Sequence, residues 1–518
     1  MTRFFFSPKT VPAGVPGSES DLGNGGSRTY YKIVFYFLSG VFSASFFILL
    51  LTTGGYAARG ILFASREQTF MDFFNSLLST ADDPYEHYSF YPPFAMLFYK
   101  LMLLMVPEKV LDRVIVSKAA TSFSPDAKLF QQLYFPFILY SLLTVILLFF
   151  ALRSAKSGSL GERIAFVFLA FTSAPMLFMF ERANNLIIPL FLLIFFVRNK
   201  NSEKRLRREL ALAALGVAAA FKIYPLLFCA LLLHEKRVKD ILKVFLYFIV
   251  LTLPPLFLFF GGFGSIKLIF GNLAIYGGKH GLAIGSQLNF AKTVIFPFTF
   301  TKVSSRLLLS IGQAFKVVVT VFACIGAVFA KKEWRRAALV CCLIYGYPAA
   351  CSTYLLTLFI IPIMLLLDNE NENSFTGYAS ILLMTVTQLL IVIPDPFTGA
   401  FTRDVPTKIT SYAILLLTVI LSARGCLDLA DRASSQLKIK KRVAVIAGIL
   451  LAAGILATVL FIGRSSVFGL VALGGLPGLF VNIIFCGGLL AALVISAAIR
   501  YTVVRKKEHG SQRPEDVI

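Results

Sequence analysis

Apolar runs of near-bilayer length recur from Ile33 to Ala498, separated by short polar stretches. A run needs about 20 residues to cross roughly 30 Å of hydrocarbon, and lipid offers its backbone no hydrogen-bond partner. Each run must therefore close its own N–H to C=O bonds, which a helix does within the segment. No water-soluble fold has interior enough for the remainder. Of 518 residues, 57% are hydrophobic and 15% charged, against roughly 25% charged in soluble domains. The sequence predicts an all-α polytopic integral membrane protein.

Net charge is +23, from 50 Lys and Arg against 27 Asp and Glu. The basic clusters at 198–208, 236–243, 331–336, 438–442 and 500–507 fall in alternate gaps between apolar runs. Lys and Arg are retained on the cytoplasmic side of inserted proteins, so these clusters mark that side and make nucleic-acid binding unnecessary as an explanation. On this basis helices are expected at 33–51, 133–152, 164–180, 183–197, 210–221, 223–233, 241–260, 307–330, 337–350, 354–367, 378–394, 409–421, 443–462 and 480–498. That is a bundle of about 14 transmembrane helices with both termini cytoplasmic, in a multi-pass cell-membrane protein. The turn from Asp368 to Glu372 is acidic and breaks the pattern.

Residues 1–32 read as a flexible cytoplasmic tail ahead of a signal anchor, since no small-residue cleavage site follows the first apolar run. Residues 33–425 read as the catalytic core, and 426–518 as an accessory C-terminal transmembrane pair with a basic cytoplasmic tail. The seven cysteines lie in or beside apolar runs without a CxxC pair, so neither a zinc site nor a disulfide framework is expected.

Two outer segments interrupt this economy. Residues 52–132 form a long first outer loop whose apolar stretch 91–106 opens with Pro92-Pro93 and carries Lys100. It is expected to lie along the membrane or re-enter it. Residues 261–306 hold Tyr276, Lys279, His280, Gln287 and Asn289. Long loops in compact bundles are usually functional. From Arg208 to Lys222 a helix rises only about 21 Å, so Lys222 should sit below the outer surface, as should Glu181 and Arg182. Ionisable groups at that depth are expensive unless they face a wet or occupied cavity.

Asp72, flanked by Phe70, Phe73 and Phe74, is the earliest outer carboxylate and the candidate general base for deprotonating an attacking hydroxyl. Asp82, Asp83, Glu86, Tyr91, Glu181, Asn185 and His280 are candidates for lining an acceptor pocket. Lys222, Tyr224 and Arg182 read as polar lining of the same outward-facing site. Each has a plainer alternative: a solvated acidic loop for Asp72, Asp82, Asp83 and Glu86, a structural ion pair for Glu181 and Arg182, snorkelling for Lys222, and a loop histidine for His280.

The order of Asp72, Tyr91-Pro92-Pro93-Phe94, Glu181-Arg182-Ala183-Asn184 and Phe221-Lys222-Ile223-Tyr224-Pro225 resembles the GT-C glycosyltransferases. Within them it is most similar to glycosyltransferase family 87, whose members include polyprenol-phosphate-mannose-dependent mannosyltransferases. The resemblance covers roughly residues 30–370. It implies a GT-C-like bundle that moves a hexose from a polyprenyl-phosphate sugar to a glycan or glycolipid acceptor at the outer face. It also implies Asp72 as base, the turn around Lys222 and Tyr224, with Arg182, at the donor and its departing phosphate, membrane lipid as surroundings, and no cofactor, with a divalent metal left open. The chain departs from the family in carrying Ser352-Thr353-Tyr354 where members often have a His pair. Two other classes compete: a glycan polymerase or ligase, which relies on outer-loop Arg and His, and a secondary transporter, which shows internal repeats and midplane broken helices.

Overall fold

The computed structural model describes residues 21–55, 69–86, 89–109, 133–259, 261–281, 289–295, 305–348, 352–369, 372, 374–389 and 404–433. Among them there is no strand. The helices are α1 Asp21–Thr52, α2 Met71–Ser79, α3 Pro93–Leu103, α4 Tyr134–Ala155, α5 Leu160–Phe171, α6 Ala174–Arg182, α7 Ile187–Asn199 and α8 Arg205–Phe221. After a 3-10 turn, Tyr224–Phe228, come α9 Cys229–His234, α10 Val238–Thr252, α11 Gly264–Gly281, α12 Phe290–Ile295, α13 Ser305–Phe329 and α14 Glu333–Gly346. A second 3-10 turn, Thr353–Phe359, precedes α15 Ile360–Leu367, α16 Phe375–Val386 and α17 Asp404–Ala433.

Five of these are long and apolar enough to cross a membrane: Tyr30–Thr52, Tyr134–Ala155, Val238–Leu258, Leu307–Phe329 and Ile409–Leu429. The α5–α6 pair, bent by 58°, makes a sixth. Exposed Phe, Leu, Ile and Val side chains line the outside of these helices, for example Phe37, Leu142, Leu246 and Val317. That is the surface lipid would cover. The expected helices at 443–462 and 480–498 lie outside the described residues. α17 runs without a break across position 425, where the sequence reading ends the core.

Several expected helices are interrupted, each for a local reason. Residues 164–180 divide at Thr172 and Ser173, because Pro175 brings no N–H and the Thr172 hydroxyl bonds back to the Phe168 carbonyl at 2.9 Å. The 223–233 stretch opens as the 3-10 turn that carries Pro225. The 354–367 stretch does the same, with Pro362 in the first turn of α15. The 183–197 stretch becomes helical only at Ile187.

One end of the bundle is held by buried ion pairs. Lys156 bonds Asp368 at 2.6 Å and lies 3.5 Å from Glu162, while Arg198 reaches Asp368 at 3.1 Å. Lys200 pairs with Glu235 and with Glu333 at 3.3 Å. Arg335 meets Glu372 at 2.9 Å, which also accepts from the Trp334 indole at 3.1 Å. Burial alone would raise the Glu235 carboxyl, but Lys200, Asn201 and Arg237 hold it below its ordinary value, so it stays ionised. Asp368 and Glu372, from the acidic turn, thus serve as counter-ions to Lys156, Arg198 and Arg335.

α13 and α17 cross where two glycines meet. A side-chain carbon on Gly425 would lie 2.5 Å from the Gly326 Cα, so only a bare backbone fits. Gly425→Leu should force these helices apart and lower thermal stability in detergent by about 1–3 kcal/mol. Gly40→Ala, where a methyl group meets nothing within 4 Å, should leave the unfolding midpoint unchanged or slightly raised.

Candidate active site

The site begins where the start of α2 meets the end of α6. Phe70 adopts a left-handed backbone, with φ 56°, and its N–H donates to the Glu181 carbonyl at 2.7 Å. This places Asp72 in the first turn of α2, where the helix dipole favours a carboxylate. On the facing side Ala183, also left-handed at φ 47°, ends α6, with the Asn184 N–H reaching back to the Met179 carbonyl at 3.1 Å. The chain then turns so that Asn184 Nδ2 donates to Asp72 Oδ2 at 2.6 Å. Arg182 Nε stands 3.8 Å from Asp72 Oδ1. Among the described residues the non-glycine positions with positive φ are Phe70, Ala183 and Lys236. A left-handed non-glycine residue costs about 1–2 kcal/mol, so two of the three strained positions sit at this one contact.

A third wall comes from the end of α8. Lys222 is buried, with its ammonium 4.7 Å from the Tyr91 ring centroid and 5.7 Å from that of Tyr354. Ring faces attract a cation, more so away from water. Lys222 also lies within electrostatic reach of Asp72. Below, Phe73 packs on Tyr99 and Tyr140 at ring separations of 5.7 and 5.0 Å, and the Tyr140 hydroxyl donates to the Asn184 carbonyl at 3.2 Å. α3 closes against α8 through Phe94 and Phe98 on Phe221. Beside Asn184 opens a largely apolar cavity of about 310 Å³, lined among others by Phe70, Phe137, Tyr140, Met179 and Phe180. One carboxylate, two cations and a greasy recess therefore converge.

Residues 88–353 match the family model of glycosyltransferase family 87, just over half of the chain. The chain belongs to glycosyltransferase family 87. No curated protein and no solved structure matched it. Tyr91, Arg182, Asn184 and Lys222 lie inside the matched stretch, whereas Asp72 precedes it.

The other candidates of this glycosyltransferase fall in different places. Glu181 is buried behind Arg182 and lends its carbonyl to Phe70. Asn185 is buried, and neither amide atom of its side chain has a hydrogen-bond partner among the described residues. The buried Tyr224 hydroxyl is likewise without one. Asp82 and Glu86 are exposed. His280 falls in α11, and its side chain lies outside the described residues. No group of three His, Cys, Asp or Glu suited to a metal occurs among the described residues. Sequence reasoning named Asn184 and Tyr354 only as members of motifs, without a role of their own, and passed over Tyr99 and Tyr140. The Asn184-Asn185 pair ahead of a helix carried a capping signal, but not which Asn turns inward.

Asp83 differs from its neighbours. It is buried, accepting from the Tyr85 N–H through Oδ1 and the Gly261 N–H through Oδ2, each at 2.9 Å. It fastens the stretch 69–86 to the segment that opens at Gly261. Asp83→Ala would orphan both donors and should cost about 1–3 kcal/mol of thermal stability. Asp82→Ala and Glu86→Ala should each change it by less than about 0.5 kcal/mol in the same unfolding assay.

Proposed function

We propose that this family 87 enzyme transfers a mannose-like hexose from a polyprenyl-phosphate carrier to a glycan or glycolipid acceptor on the outer face of the cell membrane. The completed bundle has about fourteen spans in this reading, with both termini cytoplasmic. The observation that carries it is that Asp72 and Lys222, a carboxylate and a cation on separate elements, come within electrostatic reach of each other beside an apolar recess.

In this reading the acceptor hydroxyl attacks the anomeric carbon while Asp72 takes its proton. The bond from that carbon to the phosphate oxygen breaks, and the polyprenyl phosphate leaves with its added negative charge. Lys222 and Arg182 stabilise that charge as it develops. The cavity beside Asn184 suits the first isoprene units of the carrier, because its lining of Phe70, Phe137 and Phe180 takes hydrocarbon from lipid at no cost in polar groups. Tyr354, in the segment where family members often carry a His pair, steadies Lys222 instead.

Asp72→Asn keeps shape and most hydrogen bonding but cannot accept the proton. Folding and carrier binding should survive, while transfer from a radiolabelled polyprenyl-phosphate hexose falls about 10²-fold or more. Transfer at the wild-type rate would remove Asp72 from the reaction. Lys222→Ala should weaken carrier binding and slow turnover, with Lys222→Arg only partly restoring both, since a forked guanidinium differs in shape from a point-like ammonium. Unchanged carrier affinity in Lys222→Ala would assign Lys222 to packing alone.

A further inference from the structure

Asn184 is fixed on every side. Its backbone N–H donates to the Met179 carbonyl, its own carbonyl accepts from the Tyr140 hydroxyl, and its Oδ1 accepts from the Leu186 N–H at 3.0 Å. The last of these settles the orientation of the amide. A backbone N–H can only donate, so Oδ1 must face Leu186, and Nδ2 must be the atom turned to Asp72. An amide nitrogen in turn can only donate. Asp72 Oδ2, at 2.6 Å, must therefore act as an acceptor and cannot carry the proton itself. The two oxygens of Asp72 are thus unequal: Oδ2 is occupied by a rigid donor, while the polar side-chain atom that stands by Oδ1 among the described residues is the Arg182 Nε, at 3.8 Å.

We infer that Asn184 is a positioning residue of the transfer reaction, holding Asp72 ionised through Oδ2 and leaving Oδ1 as the oxygen that receives the acceptor's proton. This rests on the reading of Asp72 as base. The groups facing Asp72 are Arg182 from α6, Lys222 from the end of α8, Tyr99 from α3 and Tyr140 from α4. The tyrosines are neutral at physiological pH and the two cations both favour the carboxylate, so loss of Asn184 removes one of three supports for the ionised form. Without that hydrogen bond Asp72 should favour its ionised form less and should no longer be turned to present Oδ1 to the acceptor.

The test separates this role from capping. Asn184→Ser keeps a side-chain oxygen for the Leu186 N–H, preserving the turn into α7, but is too short to reach Asp72. Asn184→Asp keeps the same turn and sets a second carboxyl where the amide stood, so that two acids must share a proton. In purified protein the Asp72 carboxyl band can be followed by infrared pH titration and identified as the band absent from Asp72→Asn. The midpoint should rise in Asn184→Ser and further in Asn184→Asp, since each loses a hydrogen bond that favours the ionised form and the second adds a like charge. In the transfer assay kcat should fall about tenfold at neutral pH, the acid limb of the pH profile should move up with the midpoint, and the acceptor KM should change less than about twofold. A midpoint unmoved in both variants overturns the inference, even if they unfold at lower temperature, because a purely structural Asn would give that result. Two further outcomes are distinct. If Asp72→Asn is inactive while Asn184→Ser has wild-type kcat and acid limb, the Asn184 inference alone fails. If Asp72→Asn transfers normally, the reading beneath it fails.

Discussion

The site depends on a seam between two stretches of chain more than a hundred residues apart. On one side is the Phe70 N–H on the Glu181 carbonyl, and on the other the Asn184 amide on the Asp72 carboxylate. Each strand reaches the seam through a residue forced into the left-handed region, Phe70 and Ala183. A soluble protein could exchange such contacts for water at modest loss. Between apolar helices there is little water to take over, so the same hydrogen bonds both hold the strained turns and fix the geometry of the carboxylate. The packing of Phe70 and Phe73 on Phe137 seals the seam from the side.

The two groups of buried charge in this molecule behave differently. At the end of the bundle carrying the basic clusters, Lys156, Lys200 and Arg335 each sit against a carboxylate, and the charges cancel. Such pairs add little net stability, but losing one partner costs about 3–5 kcal/mol, which makes them good fasteners for the short turns they join. At the candidate site the cations meet aromatic rings as well as a carboxylate. Arg182 stands 3.8 Å from Asp72 and also over the Phe178 ring, while Lys222 faces two tyrosine rings. Charge that is fully paired supports structure, and charge left partly paired in a dry place is available for a substrate.

How far the sequence carried this picture can be traced residue by residue. Membrane helices such as Tyr134–Ala155 and Leu307–Phe329 were readable because length and apolarity are local properties. The break at Thr172 and Ser173 was not, because hydropathy ignores the missing N–H of Pro175 and the hydroxyl that bends the helix before it. Lys222 and Arg182 were singled out for depth, because the helix rises counted from Arg208 and from Arg198 fall short of the bilayer; that both would face Asp72 was not in that count. Asp72 and Asp83 looked alike as outer carboxylates beside aromatics. They are told apart by partners far along the chain, Asn184 for one and Gly261 for the other, and no spacing rule announces those. The acidic turn at Asp368 and Glu372 looked anomalous for the same reason: its counter-ions Lys156, Arg198 and Arg335 lie on other helices.

Under the proposal that Lys222 holds the carrier phosphate, the two rings around it bear on exchange as well as on binding. Among the described residues no carboxylate lies within ion-pair distance of this ammonium, so an arriving anion has no internal rival to displace. When that anion departs, no salt bridge has to re-form before the next one can enter. The π faces of Tyr91 and Tyr354 hold the cation loosely in the interval, at a strength of about 1–2 kcal/mol rather than that of a buried ion pair. A cation kept in this way acts as a low-friction berth: it takes its cargo without a struggle and gives it up without delay, so turnover need not wait on rearrangement of the protein's own charges.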